Sequence, residues 1–214
     1  KGIPVSAISL ENGSVQLESA LIKAEYVGSL SPDGTRIEGT WSQGGVSYPL
    51  TVEKRESAPV LLRPQEPVAP FPYKTAEVKI KSKKGGIVLA GSLVLPAGTA
   101  PFPALVFATG SGPQNRDEEL LGHKPFLVIA DYLARRGIAS IRCDDRGVGK
   151  STGDFATATT LDFADDVEAA FEYLASRREI KKGSVGILGH SEGGIVAPIV
   201  ASRKLLLKAI RDVA

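Results

Sequence analysis

The sequence contains no methionine, one cysteine, one tryptophan and two histidines in 214 residues. With Cys143 alone, no disulfide can close within the chain, and the redox compartment stays open. An excess of either charge is also lacking: 26 basic residues against 24 acidic ones leave +2. No basic block occurs, so nothing points to a nucleic-acid partner. No run approaches 18 apolar residues, so no membrane-spanning helix is expected. No repeat of fixed period is visible. The chain opens at Lys1, without an initiator Met or a signal-peptide core. That start predicts a processed or trimmed product, whose missing front has room for an export signal. What remains, 43% hydrophobic and 23% charged, is the composition of an ordinary globular chain.

Two rhythms divide the sequence. Residues 1–54 read as an all-β meander. The runs VSAISL and SVQLES are joined by ENG, IKAEYVGSL and TRIEGTW by SPDG, and VSYPLTVEK follows SQGG. Trp41 and Tyr48 are expected to form its small core rather than a sugar-stacking platform. Residues 55–73 are a Pro-rich linker, extended because proline fixes φ and lacks an N–H. From residue 74 the pattern changes. TAEVKIKS and GIVLAGSLVL read as strands joined by KKGG. After them, strands PALVFATG, IASIRCD and SVGILG alternate with helices. KPFLVIADYLARRG carries Phe126, Ile129, Ala130 and Leu133 at helical spacing and stops at Gly137. The second helix starts from Thr160 as N-cap, and its Asp162, Asp165, Asp166 and Glu168 complement the helix dipole. The third runs from Glu192 to about Lys208.

The chemistry concentrates at GILGHSEGG, residues 186–194. Gly189-His190-Ser191-Glu192-Gly193 fits G-x-S-x-G, preceded by an apolar strand and followed by a helix. A serine on such a turn sits in a strained backbone, and Gly189 and Gly193 let the turn close. The hydroxyl of Ser191 is lifted above the carboxyl edge of the sheet as a nucleophile. The helix start behind it, including the backbone N–H of Glu192, faces developing negative charge. GVGKST at 147–152 suggests a phosphate loop, but a Walker motif needs glycine where Asp144 stands.

This constellation resembles the α/β-hydrolase superfamily, and more closely bacterial serine esterases with a β-rich N-terminal extension. ATGSGPQNRDE, residues 108–118, resembles the loop after the third strand. There Thr109-Gly110 stands for the family's His-Gly pair, which implies the backbone N–H of Ser111 as second oxyanion donor. CDDRGVGKSTG, residues 143–153, resembles the family's D-x-R-G-x-G-x-S, with Asp144 at the matching spacing and Arg146 bracing the site. The resemblance implies the N-terminal half of an α/β-hydrolase sheet over residues 74–214, cut after the nucleophile helix. It also implies a carboxylesterase-like activity on small acyl esters, with no metal or cofactor. The missing N-terminus and the resemblance favour an extracytoplasmic (periplasmic or secreted) location, with the cytoplasm as the alternative.

The family order places acid and histidine after the serine, yet no histidine follows Ser191. The ring of His190 is expected to point away from the hydroxyl and pack against neighbouring strands. His123, between the oxyanion loop and the first helix, is a weak candidate base. The acid and histidine are therefore expected beyond residue 214. LKAIRDVA then leads toward a further strand, and Ile187, Val196 and Ile199 are left short of packing. A C-terminal segment or a second copy of the chain would complete that face, and the 214 residues alone are expected to be neither stable nor active. The alternatives are an amidase or peptidase of the same fold and a non-catalytic binding module.

Overall fold

The computed structural model describes residues 4–57, 62–82 and 85–213, with the side chains of 205–213 left aside. Ala58, Pro59, Val60 and Leu61 of the linker, and Lys83 and Lys84 of the KKGG turn, lie outside the described residues. The chain divides into two compact units, Lys1–Leu62 and Arg63–Ala214.

The first unit is a five-stranded antiparallel meander of β1 (Ala7–Glu11), β2 (Ser14–Ser19), β3 (Ala24–Leu30), β4 (Arg36–Gln43) and β5 (Val46–Glu53). Register aligns Ile8, Leu17, Tyr26, Trp41 and Tyr48 in one cross-strand row, so one face is apolar and the other polar. Tyr26, 1% exposed, is the centre of this unit. Its hydroxyl donates to the carbonyls of Ile37 (3.1 Å) and Leu50 (2.9 Å), which lays the ring across β4. Gly39 makes that possible. A Cβ there would meet the Val27 carbonyl oxygen at 2.3 Å and Tyr26 Cζ at 2.8 Å. Tyr48, by contrast, is 58% exposed, so the expected Trp41–Tyr48 core is instead a core of Val15, Ala24 and Tyr26. Tyr48 lies on β5, the edge strand of this sheet among the described residues, whereas Trp41 lies on β4 between β3 and β5.

The second unit is a mixed sheet of order β10-β8-β9-β7-β6. Its strands are β6 (Lys74–Lys81), β7 (Val88–Leu95), β8 (Phe102–Ala108), β9 (Ala139–Cys143) and β10 (Ile180–Gly189). β8 runs parallel to both neighbours, β9 and β10. Helix α1 (Pro125–Ala134) connects β8 to β9, and α2 (Thr160–Ala175) connects β9 to β10. Side chains alternate across β8. Phe107 packs with Phe126 and Ala130 of α1, whereas Ala108 packs with Ala164 of α2 and with Val196 and Val200 of α3 (Gly193–Val213). The chain leaves β8 toward one side and returns from β9 to the other. The loops after β8 and β10 therefore part at a topological switch point, where open sheets form a crevice.

Three details differ from expectation. The α2 cap is Thr159, whose side chain accepts from the Asp162 N–H while Asp162 accepts from the Thr159 N–H. Val196 is 2% exposed, and Ile187 and Ile199 pack against its cluster, because α2 and α3 lie side by side and shield that face. Helix α3 also continues to Val213, so LKAIRDV is helical.

Replacing Gly39 with Ala forces a methyl into backbone, and overpacking of that kind costs about 1–3 kcal/mol. Urea unfolding followed by the fluorescence of Trp41, the sole tryptophan, should shift to lower denaturant by that amount. An unchanged midpoint would refute this account of the Tyr26 seat.

Candidate active site

The site is built from two loop starts that the sheet sets side by side. Ala108 and Gly189 are register partners at the ends of β8 and β10, so their outgoing loops begin about 5 Å apart. After β10 the chain turns at once. The Gly193 N–H donates to the His190 carbonyl (2.8 Å), the Gly194 N–H to that of Ser191 (2.9 Å), and α3 begins. Ser191 has φ +51°, a left-handed conformation costing a non-glycine residue about 1–2 kcal/mol. The two flanking glycines are required by contact. A Cβ on Gly193 would lie 2.1 Å from the Ala108 carbonyl oxygen, and one on Gly189 2.2 Å from the Gly193 carbonyl oxygen. The turn is thus pressed against the end of β8, and Ser191 stands exposed at its tip.

Around this tip the backbone N–H groups divide by use. That of Gly110 donates to Glu118 Oε1 at 2.6 Å. Those of Ser111 and Glu192 have no acceptor among the described residues. The Glu192 side chain is drawn aside by the hydroxyl of Thr160, which donates to it at 2.7 Å.

Below the tip lies a layer of buried charge from the loop after β9. Asp144 accepts from Arg116 Nε (3.0 Å) and Nη2 (2.9 Å) and from the backbone N–H groups of Arg116 and Lys150, and these donors hold its carboxyl below the usual range. Gly149 has φ +57°, and a Cβ there would lie 2.6 Å from Asp144 Oδ2. Asp145 accepts from the Thr109 hydroxyl (2.6 Å) and the Gln114 N–H (2.9 Å). Burial nevertheless pushes it up to about 6, and the nearby charges of Asp166 and Glu118 add to the shift. Arg146 donates to Asp166 (2.7 Å) and to the Asp162 carbonyl (2.8 Å), fastening this loop to α2. A cavity of about 30 Å³, walled in part by Thr109, Asp145 and Asp166, lies among these groups and suffices for one water.

The sequence therefore places Ser191, Glu192, Ser111, Gly110, Gly189 and Gly193 together, with Arg146 one layer below. Among the described residues no base is hydrogen-bonded to Ser191. His123 Nδ1 lies against Gln65 Nε2 at 3.4 Å. His190 does not pack against strands as expected; its side chain is 66% exposed, with Nδ1 2.9 Å from Glu118 Oε1. The α2 acids also do more than face a dipole, since Asp166 binds Arg146, while Asp165 and Glu168 bind Arg203 at 2.8 and 3.0 Å. Glu118 is a site group that the sequence reading passed over, and Asp145 entered it only as a position of the D-x-R-G loop, without its burial. Each sits in a polar run that reads as solvated loop, and only the three-dimensional turn buries it.

Solved structures share this architecture. They include the α/β hydrolase GrgF from Penicillium sp. sh18 (22% identity, TM-score 0.51, 60% of this chain and 41% of that one). A hypothetical protein from Pseudomonas aeruginosa is also similar (22%, 0.53, 67% and 44%). So is Est1E from Butyrivibrio proteoclasticus, solved with ferulic acid bound (23%, 0.50, 59% and 47%). The fold is that of the α/β hydrolases, in part, preceded by a β unit. Within that class, residues 85–212 match the family described as X-Pro dipeptidyl-peptidase (S15 family), and the chain belongs to it. Esterase EstD of Thermotoga maritima is 32% identical over 115 residues, 54% of this chain. The match spans 27% of the length of that relative. Among the described residues no helix is long and apolar enough to cross a membrane.

The raised Asp145 has a measurable consequence. The folded protein holds this proton more tightly than the unfolded chain, so Asp145 favours folding at low pH. That contribution fades as pH rises from about 4 through about 6. Paired carboxylates such as Asp144, held low, act in the opposite direction. The difference between wild type and Asp145→Asn isolates the single group. In urea titrations the wild type should lose, relative to the variant, on the order of 2 kcal/mol between pH 4 and pH 7. A flat difference would show that Asp145 titrates normally.

Proposed function

We propose that this chain carries the nucleophile and oxyanion half of a serine hydrolase that cleaves carboxylic esters of small molecules. One observation carries the reading. Ser191 stands in left-handed strain on a strand-to-helix turn, and the backbone N–H groups of Ser111 and Glu192 have no acceptor among the described residues. In this reading Ser191 Oγ attacks the acyl carbon while its proton passes to a histidine. The carbonyl oxygen becomes an oxyanion, and the two N–H groups stabilise it. Collapse expels the alcohol, which takes the proton from that histidine, and water then releases the acid by the same steps reversed. Neither histidine of the chain is given that role in this reading: His123 Nδ1 lies beside Gln65 Nε2, and His190 turns Nδ1 to Glu118.

The name of the Thermotoga relative favours esters, while the family's description favours a peptide bond after proline. The elbow serves either, because both reactions pass through the same tetrahedral oxyanion. Full-length protein should label with a fluorophosphonate at Ser191 and turn over p-nitrophenyl acetate or butyrate, and Ser191→Ala should lose at least 10³-fold in kcat, the scale of nucleophile removal. Turnover of an Xaa-Pro anilide with no ester turnover would select the peptidase instead. Absence of labelling and of both activities would leave a binding module.

A further inference from the structure

Glu118 is 6% exposed, yet it forms no ion pair with an arginine or lysine among the described residues. One of its oxygens, Oε1, does two things. It accepts the Gly110 N–H at 2.6 Å, and it lies 2.9 Å from His190 Nδ1. The first partner belongs to the loop after β8 and the second to the turn after β10. The same carboxylate oxygen therefore ties together the two segments that supply the unused N–H groups. The backbone is bent to achieve this. Glu118 has φ +52°. Its N–H donates to the Asn115 carbonyl at 2.9 Å, while the Asn115 side chain accepts from the N–H groups of Asp117 (3.0 Å) and Glu119 (3.2 Å). Strain at a non-glycine residue persists only where surrounding contacts hold it.

We propose that Glu118 is a positioning residue, a clamp that fixes the Ser111 N–H relative to Ser191 and Glu192. The proposal rests on the hydrolase reading above. With the Gly110 N–H occupied, the next N–H in the chain, that of Ser111, is the donor left without an acceptor among the described residues. Gly110 itself is packed behind the nucleophile. A Cβ there would sit 3.1 Å from both Glu118 Oε1 and His190 Nδ1 and 3.2 Å from Ser191 Cβ. A hydrogen bond from Nδ1 to a carboxylate requires the proton on Nδ1, so neutral His190 is held in the Nδ1–H tautomer. Glu118 touches no reacting atom and acts through the geometry of the donors. Its loss should therefore weaken stabilisation of the transition state rather than substrate binding.

The test uses the full-length protein with Glu118→Ala and Glu118→Gln. Losing one well-placed oxyanion donor lowers kcat about 10²-fold or more. Glu118→Ala should approach 10² in kcat on p-nitrophenyl butyrate, with KM within about threefold. Glu118→Gln keeps an oxygen for Gly110 but only a neutral one, and should lose about tenfold in kcat. Nitrogen-15 NMR should show the Nδ1–H tautomer at His190 in the wild type and its loss in Glu118→Ala. Unchanged kcat, a loss confined to KM, or an Nε2–H tautomer in the wild type would overturn the proposal. If Glu118→Ala does not fold, Glu118→Gln decides by the same kcat and KM split. If the wild type neither labels with fluorophosphonate nor turns over, it is the hydrolase reading that fails. The clamp is then judged on the tautomer and on slow hydrogen exchange of the Gly110 amide, and absence of either rejects it.

Discussion

The absence of room between Gly193 and the end of β8 is the constraint from which the rest follows. An added Cβ would lie 2.1 Å from a backbone oxygen, a contact no side-chain adjustment can relieve. With the start of α3 pressed onto β8, the turn before it cannot relax, and Ser191 is driven into φ +51°. The strain is sustained by burial on the other side: Val196 and Val200 of α3 pack with Ala108 and Ala164. Apolar packing beneath the sheet's edge thus holds a polar turn above it in a conformation it would not choose alone.

Charge beneath the site has a related role. Arg146 with Asp166, Arg116 with Asp144, and Arg142 with Asp117 are pairs with at least one nearly buried partner. Such pairs add little net stability, because desolvation offsets their attraction, but removing one partner strands the other. Each joins segments far apart in sequence. Arg146 connects the loop after β9 to α2, and Arg116 connects the loop after β8 to Asp144. The network is better understood as selecting one arrangement of the loops after β8 and β9 against β9 and α2 than as strengthening the fold. The Glu118 carboxylate, bound by an amide and an imidazole, belongs to the same layer but faces the nucleophile.

Much of this was legible beforehand, for identifiable reasons. The strand runs and the helical stripe at Phe126, Ile129, Ala130 and Leu133 announce themselves through periodicity, which depends on local geometry alone. The serine turn is legible because sterics demand glycine at fixed spacing. The burial of Glu118 and Asp145 was not legible. A carboxylate's burial depends on which distant loop folds over it, and nothing within ATGSGPQNRDE or CDDRGVGKSTG separates a solvated acid from an enclosed one. His190 was misjudged for the same reason: its partner is 72 residues away in the sequence. Tyr48 illustrates a different limit. Alternation in β5 correctly places it on the apolar face, but alternation does not say whether a strand stands at the centre of a sheet or at its rim.

The pairing of β8 with β10 is irregular between Ile180 and Val185, where Gly183 has φ +71°, and is then continuous from Val185 to Gly189. Side chains in a strand alternate faces, so one additional residue within the continuous part would invert everything downstream and deliver the serine to the wrong side. The same insertion before Val185 would be absorbed where the ladder is already broken. The last five residues of β10 therefore act as a ruler of fixed length, and the slack in this crossover lies ahead of them. Natural or engineered length changes that spare the hydroxyl's position have only that upstream stretch, or the helix before it, in which to occur.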